Sequence, residues 1–595
     1  MFFQAKSKWG EIGYTNERHI YFVQTWRELL SKQTYISWQV KTSNTKSLAS
    51  ELLYNVEVVN EHSNAIDNLA PIIEEIQDRY YQERTIIDKI NPLFANCFDR
   101  LKKIDKKCDN IKQIYRLTCL LNLGLESYQC TVFEEIEYIL SSESESKYKK
   151  SLYTYISGLL TELISTGYSY AFLERLLDNF NEATNQPFMQ SFILMKDRLN
   201  KGDLEFNCTY EFRSKPEYFD SYKALGAISE SSETTGNRLN FDLDAKDIHS
   251  AVILARNKIT KIEHVVALYY ELSSIDNKFS QVQIRSCDPS DGELNEISFT
   301  NRNIFNTYDT YGYHNHKSQN AQIRNYLERV LGGLLNNVGA PVREGIYSSL
   351  NSYNQSIIAT TDEMKFTNLW VAFEALIQTI GGSTKNLMKD RLPSILSVNY
   401  IPDLVKDVAI TLRKFYSHTQ PNSDATNFLD PLLKNREKVE FEFSGIFNLL
   451  EKPEKFFSGQ ESNDEINYNP LLCYRISTLN EWFSSSKALA NKLNAHIRTL
   501  GLQLSRIYRM RNFILHKATI PHEIKLLTTH LDYYYQITIN IILTTLIKYP
   551  ELSIADCLEY ANLKVQGLID ILREDNHTFY NYEQIEGFSL PISEG

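Results

Sequence analysis

Near the C-terminus the chain reads IYRMRNFILHKA, residues 507–518. Inside a run of Ile, Tyr, Met, Phe and Leu sit Arg511, Asn512 and His516. Those three types suit cleavage of RNA by its own 2′-hydroxyl. Histidine ionises near neutrality and serves as base or acid. Arginine stays charged and offers a planar fork to phosphate oxygens. Asparagine orients either group. Such chemistry needs no metal, and the sequence has no HExxH, no clustered Cys/His set and no acidic array of a two-metal nuclease.

Helical geometry places these residues. At about 100° per residue, Leu504, Ile507, Met510 and Ile514 form one apolar stripe. Asn512 and His516 stack on the opposite side, with Arg509 nearly in line. Arg511 lies about 140° from His516, nearer the apolar edge, and its long side chain reaches around. Two situations fit that arrangement. One is plain solvent exposure; the other is a site completed by a second surface, such as the same helix of a partner subunit. Spacing alone does not choose, because LRKFYSHTQP repeats it with Arg413 and His418. There the plain reading is a helix C-terminus, where the dipole favours cations and Pro421 follows.

Other candidates are weaker in pattern. LKKIDKKCDNIKQIYRL (101–117) reads as a basic helical stripe, with Lys102, Lys103 and Lys106 among its cations. A solvated face explains it, and so does contact with an RNA backbone. His314 and His316 could grip a metal from an extended segment, but no Cys or acidic residue stands beside them in a ligand pattern. Cys97, Cys108, Cys119 and Cys130 recur every eleven residues, a step that returns to one helical face. They read as buried cysteines on an apolar stripe.

The elements that carry these residues are mostly helices. With 595 residues the chain exceeds one ordinary domain of about 150. Hydrophobic residues make up 43%, enough for packed cores, while Gly (22) and Pro (15) are scarce, which favours helix. The expected fold is mainly α: a helical region over 1–200, a small α+β region over 201–320, a helical domain over 321–550 and a short helical end piece over 551–595. LEFNCTYEF (204–212) alternates with period two and reads as a strand, as do QVQIRS (281–286) and GELNEISF (292–299). Residues 244–275 return to helix, and the polar, aromatic segment 301–320 reads as a loop.

Net charge is −11, which argues against a protein that coats nucleic acid and leaves room for one local basic site. Arg506, Arg509, Arg511 and Lys517 give the 502–518 helix such a field. The first residues, MFFQAKSKWGEIGY, lack a signal-peptide core, and the run ITINIILTTLI (537–547) is too short to span a bilayer. A soluble cytoplasmic protein is expected.

RNFILH (511–516) resembles the Arg–polar–spacer–His signature of HEPN domains, all-helical modules of many RNA-cleaving toxins and antiviral effectors. ATTDEMKFTNLWVAFEALIQT (359–379) resembles the preceding helix of ApeA-like HEPN domains, with its Leu-Trp pair and Glu-centred apolar patch. The resemblance covers roughly 340–550; residues 1–320 resemble no recognised family. It implies a helical bundle that dimerises so that motif helices of two subunits share a cleft. It implies metal-independent endoribonuclease activity on tRNA or mRNA, without a cofactor, leaving a 2′,3′-cyclic phosphate. Arg511, Asn512 and His516 match the motif positions. Glu374 borders its own helix's apolar stripe, where a carboxylate is costly unless exposed or paired. It would orient Arg511 or His516, or reach to water.

By this analogy the remaining chain senses a phage or cellular trigger, in antiphage defence by abortive infection or in toxin-like growth arrest. The alternative is a non-catalytic HEPN-like module that binds RNA, a nucleotide or a protein.

Overall fold

A computed structural model of the chain describes residues 16–30, 43–61, 69–104, 110–142, 148–180, 187–212, 234–235, 238–270, 279–287, 295–300, 337–359, 361–418, 429–435, 440–441, 443–451, 469–517 and 524–574. It is mainly helical with a small antiparallel sheet. The N-terminal helices are α1 (Glu17–Leu30), α2 (Thr45–Glu61), α3 (Leu69–Gln82), α4 (Arg84–Ile90), α5 (Phe94–Lys103), α6 (Ile111–Gly124), α7 (Tyr128–Ser141), α8 (Tyr148–Ser165), α9 (Tyr170–Arg175) and α10 (Phe188–Leu199).

Chain neighbours pack together here: α2 on α3, α7 on α8, with α2 also on α6 and α4 on α7. α1 is buried on nearly every side, and its polar and charged Arg18, Gln24, Thr25, Arg27 and Glu28 are buried with its apolar residues. Its Phe22 sits among Trp26, Phe180, Phe188 and Phe192, with ring centroids 5.5–6.2 Å away. Offset and edge-on aromatic packing of this kind adds to the area buried.

Two helical expectations are corrected here. Residues 101–117 do not form one helix. α5 ends at Lys103 and α6 begins at Ile111, so Lys102 and Lys103 stand on a different helix from Lys112. Lys102 and Lys103 are exposed, whereas Lys106 lies outside the described residues. The cysteine period breaks for the same reason. Cys97, Cys119 and Cys130 fall on α5, α6 and α7, and Cys130 is exposed; Cys108 is outside the described residues.

The sheet comprises β1 (Leu204–Phe212), β2 (Thr234–Thr235), β3 (Arg238–Ala245), β4 (Phe279–Ser286) and β5 (Glu296–Phe299), ordered β2-β3-β1-β4-β5 and antiparallel throughout. β1 is central, with Cys208 opposite Phe241 on one side and Ile284 on the other. Its alternating Phe206, Cys208 and Tyr210 face the core, against Ala251, Val252 and Ala255 of α11 (Ile248–Tyr270). His314 and His316 lie outside the described residues.

The rest forms a second large core: α12 (Ala340–Ile358), α13 (Asp362–Ile377), α14 (Leu392–Leu396), α15 (Tyr400–His418), a two-stranded ribbon β6 (Leu433–Asn435) and β7 (Glu440–Phe441), α16 (Phe443–Glu451), α17 (Pro470–Phe483), α18 (Ser486–Lys517), α19 (Ile524–Lys548) and α20 (Ile554–Glu574). α13 starts cleanly. The Thr361 hydroxyl accepts the Met364 N–H, and Asp362 and Glu363 meet the positive end of the helix. α20 contributes Cys557, Leu558, Val565 and Leu568 to this same core, so the end piece is packed into the preceding region. α18 is the long element. Its 32 residues span about 48 Å at 1.5 Å per residue. Among the described residues no helix is long and apolar enough to cross a membrane.

Candidate functional site

The apolar face of α18 lies where helical geometry places it: Leu504, Ile507 and Met510 are buried and Ile514 is half-buried. The arginine face is not open. α2 and α3 cover it. Arg506 donates from Nε to Glu51 Oε2 at 2.7 Å and from Nη2 to Glu75 Oε2 at 2.7 Å. Arg509 donates from Nη2 to Glu51 Oε1 at 2.6 Å. All four side chains are at most 8% exposed. The Tyr54 and Phe513 rings meet edge-on at 5.0 Å beside them. Burial pushes the Glu51 carboxyl up, but the Arg506 and Arg509 guanidiniums outweigh it and hold the group below its ordinary value. Arg506 and Arg509 therefore do not offer a field to a polynucleotide. Their charges are spent inside the protein.

Farther along, Arg511 is half-buried. Its Nη1 donates to Asn512 Oδ1 at 3.1 Å, and its guanidinium carbon lies 6.0 Å from the Trp370 ring centroid. The Trp370 indole N–H in turn donates to Glu374 Oε2 at 2.8 Å. Glu374 thus holds Trp370, one turn away on α13, and the Trp370 ring in turn lies near the Arg511 guanidinium. The helix backbone continues through Lys517, but the side chains of His516 and Lys517 lie outside the described residues. Arg413 is exposed on α15, and the His418 side chain is outside them.

A second set of contacts closes the same junction. Arg475 of α17 bridges Glu28 of α1 and Asp407 of α15, the latter at 3.0 Å, and donates from Nη1 to Thr411 Oγ1 at 2.6 Å. All three charged side chains are nearly inaccessible. Gln24 clamps the start of α17. Its Nε2 donates to Asn469 Oδ1 at 3.1 Å and its Oε1 accepts the Leu471 N–H at 3.2 Å. Leu471 itself is inserted into the N-terminal core. Arg498, by contrast, meets Glu74 and Asp78 at the surface, where an ion pair contributes little.

Sequence reasoning missed Glu28, Glu51 and Glu75. A signal was available: each is an acidic residue on a helix whose neighbours are Leu, Ile or Tyr, as in ASELLY and PIIEEI. Acids in such places need a counter-charge.

What emerges is a helical N-terminal region, its helices packed on one another, joined through buried ion pairs to a second helical region. In keeping with that class, residues 27–201 match the family model for the URB1 central HEAT repeat domain, under a third of the chain. No curated protein and no solved structure matches the chain. The reading of the chain as an HEPN ribonuclease effector is corrected by this finding, and with it the assignment to antiphage defence, abortive infection or toxin-like growth arrest. The family likeness lies in the N-terminal helices, where sequence motifs pointed to no family, and it is to a repeat architecture.

Proposed function

We propose that this chain is a helical-repeat scaffold that holds a partner macromolecule rather than an RNA-cleaving effector. The observation that carries the reading is the match of residues 27–201 to a HEAT repeat domain. Repeat arrays work by presenting long, rigid faces built from neighbouring helices. The buried ion pairs on α18 support it, because they brace that array against a long helix instead of leaving cations for a substrate.

On this reading the docking face is one side of α6. Lys112, Arg116, Leu120 and Leu123 follow one another along one side of α6 and are all exposed, the two leucines at 55% and 65%. Apolar side chains flanked by cations suit a partner segment that is apolar and acidic. The test is binding by the purified full chain to natural partners identified by crosslinking. The variant Leu120→Asp/Leu123→Asp should lose the crosslinks that map to α6 at unchanged thermal stability. Incubation with total RNA in EDTA supplies the opposing arm. Cleavage by wild type that disappears in His516→Ala would overturn the scaffold reading.

A further inference from the structure

α5 and α6 pack together, and the Phe94 ring fills the space that a side chain on Gly124 would need. Phe94 opens α5 and Gly124 closes α6, so the two helices run antiparallel. The start of α5 lies beside the end of α6, and the end of α5 beside the start of α6. Each helix buries one stripe: Phe94, Phe98 and Leu101 on α5, and Ile114, Leu117 and Leu121 on α6. Away from that stripe, Leu93 precedes α5 and Arg100 and Lys103 follow on it, all exposed. On α6 the corresponding exposed side carries Lys112, Arg116, Leu120 and Leu123.

The exposed side of this pair is sorted by chemistry. One end is apolar, with Leu93, Leu120 and Leu123 exposed at 67%, 55% and 65%. The other end is cationic. The two helices carry Arg100, Lys102, Lys103, Lys112 and Arg116 against the single acid Asp99, in a chain whose net charge is −11. Among the described residues, Arg100, Lys103, Lys112 and Arg116 make no ion pair. The dipole of α5 favours cations in its last turn, but Lys112 stands in the first turn of α6, where the dipole opposes it. The helices themselves therefore do not account for the whole group.

We propose that the α5–α6 pair docks a polypeptide segment in which a short apolar cluster adjoins an acidic run. The acids meet Arg100, Lys103, Lys112 and Arg116, and the apolar side chains cover Leu93, Leu120 and Leu123. This deepens the docking face on α6 and rests on the scaffold reading. Lys112 and Leu123 are about 17 Å apart along the helix, so a helical segment of about twelve residues spans the face. An RNA strand is charged along its whole length and would lay phosphates over the leucines. An anionic membrane surface would be repelled by the net charge of the chain.

Fluorescence anisotropy with the full chain tests the proposal, using labelled peptides of about twelve residues. Two probes carry a block of Glu and a block of Leu and Phe, in the two possible orders. A third has the same composition with acidic and apolar residues alternating, and a fourth has Glu throughout. At least one block peptide should bind about tenfold tighter than the third and the fourth. Arg100→Glu/Lys103→Glu and Leu93→Asp should each weaken that binding about tenfold or more, whereas Leu194→Asp, an exposed site on α10, should leave it unchanged. The proposal is overturned if neither block peptide binds, if the alternating or all-Glu peptide binds as tightly, or if the folded α5 variants bind like wild type. It is equally overturned if oligouridylate or phosphatidylserine vesicles displace the block peptide and bind more tightly. Natural partners that crosslink to α6 while the block peptides fail would leave the scaffold reading standing and remove this one. Absence of any crosslink to the array would remove the scaffold reading itself.

Discussion

Arg506 meets two carboxylates that arrive from two different helices. Removing the cation leaves Glu75 buried without a counter-charge, a loss of about 3–5 kcal/mol. Arg506→Met should show that loss in urea unfolding. Replacing Arg506, Arg509, Glu51 and Glu75 together by apolar residues should recover most of it, because the desolvation cost disappears with the charges. The carboxylates also set a pH dependence. Glu51 is held below its ordinary 4.5, so the unfolded chain takes up that proton first as pH falls. Its stabilisation is complete above the unfolded value and drains away as pH drops through the folded one. Asp403 runs the other way. Raised from 3.8 to about 6, it contributes stability only at low pH, which is lost as pH rises through about 6. Asp403→Asn should therefore melt higher than wild type at about pH 8, with the gap closed near pH 4; equal melting at the higher pH would refute the assignment.

Among the elements, α8 shows how tightly the N-terminal helices are fitted. A methyl group on Gly158 would come within 2.6 Å of the Tyr128 hydroxyl and 3.3 Å of Glu83 Oε1. Alanine is the better helix former, yet overpacking of this kind costs about 1–3 kcal/mol. Gly158→Ala should lower the melting temperature; a rise would mean that α7 shifts freely. What the sequence disclosed about elements follows from how local each signal was. β1 was legible to the residue because Phe206, Cys208 and Tyr210 alternate with polar neighbours. β3 escaped because RLNFDLDA carries two aspartates and adjoins a helix start, although its burial alternates cleanly. The end of α5 at Lys103 escaped because the lysines around it preserve a helical rhythm in the sequence. At the site, the apolar stripe of α18 was legible from its spacing. The direction of its arginines was not, because their partners stand on α2 and α3, more than four hundred residues away in sequence.

At the scale of the molecule, the two large cores are joined by buried charge. Arg475 links α1, α15 and α17, and Leu471 crosses from one core into the other. Arg475→Met leaves Glu28 and Asp407 facing each other without a cation, so the junction should open before either core melts. Hydrogen exchange should then show α1 and α2 losing protection ahead of α13 and α19. Simultaneous loss throughout would mean that Leu471 and the Gln24 clamp suffice to keep the halves together.

The pairing across the junction also bears on how the molecule is made. Glu28, Glu51 and Glu75 emerge during synthesis long before the arginines at 475, 506 and 509 exist to neutralise them. Until the last quarter of the polypeptide is translated, the early helices hold acids destined for a dry interior with nothing yet to balance them. Nascent chains stalled ahead of residue 470 should consequently stay loosely packed and depend on chaperones, and completion of α18 should be the event that releases them.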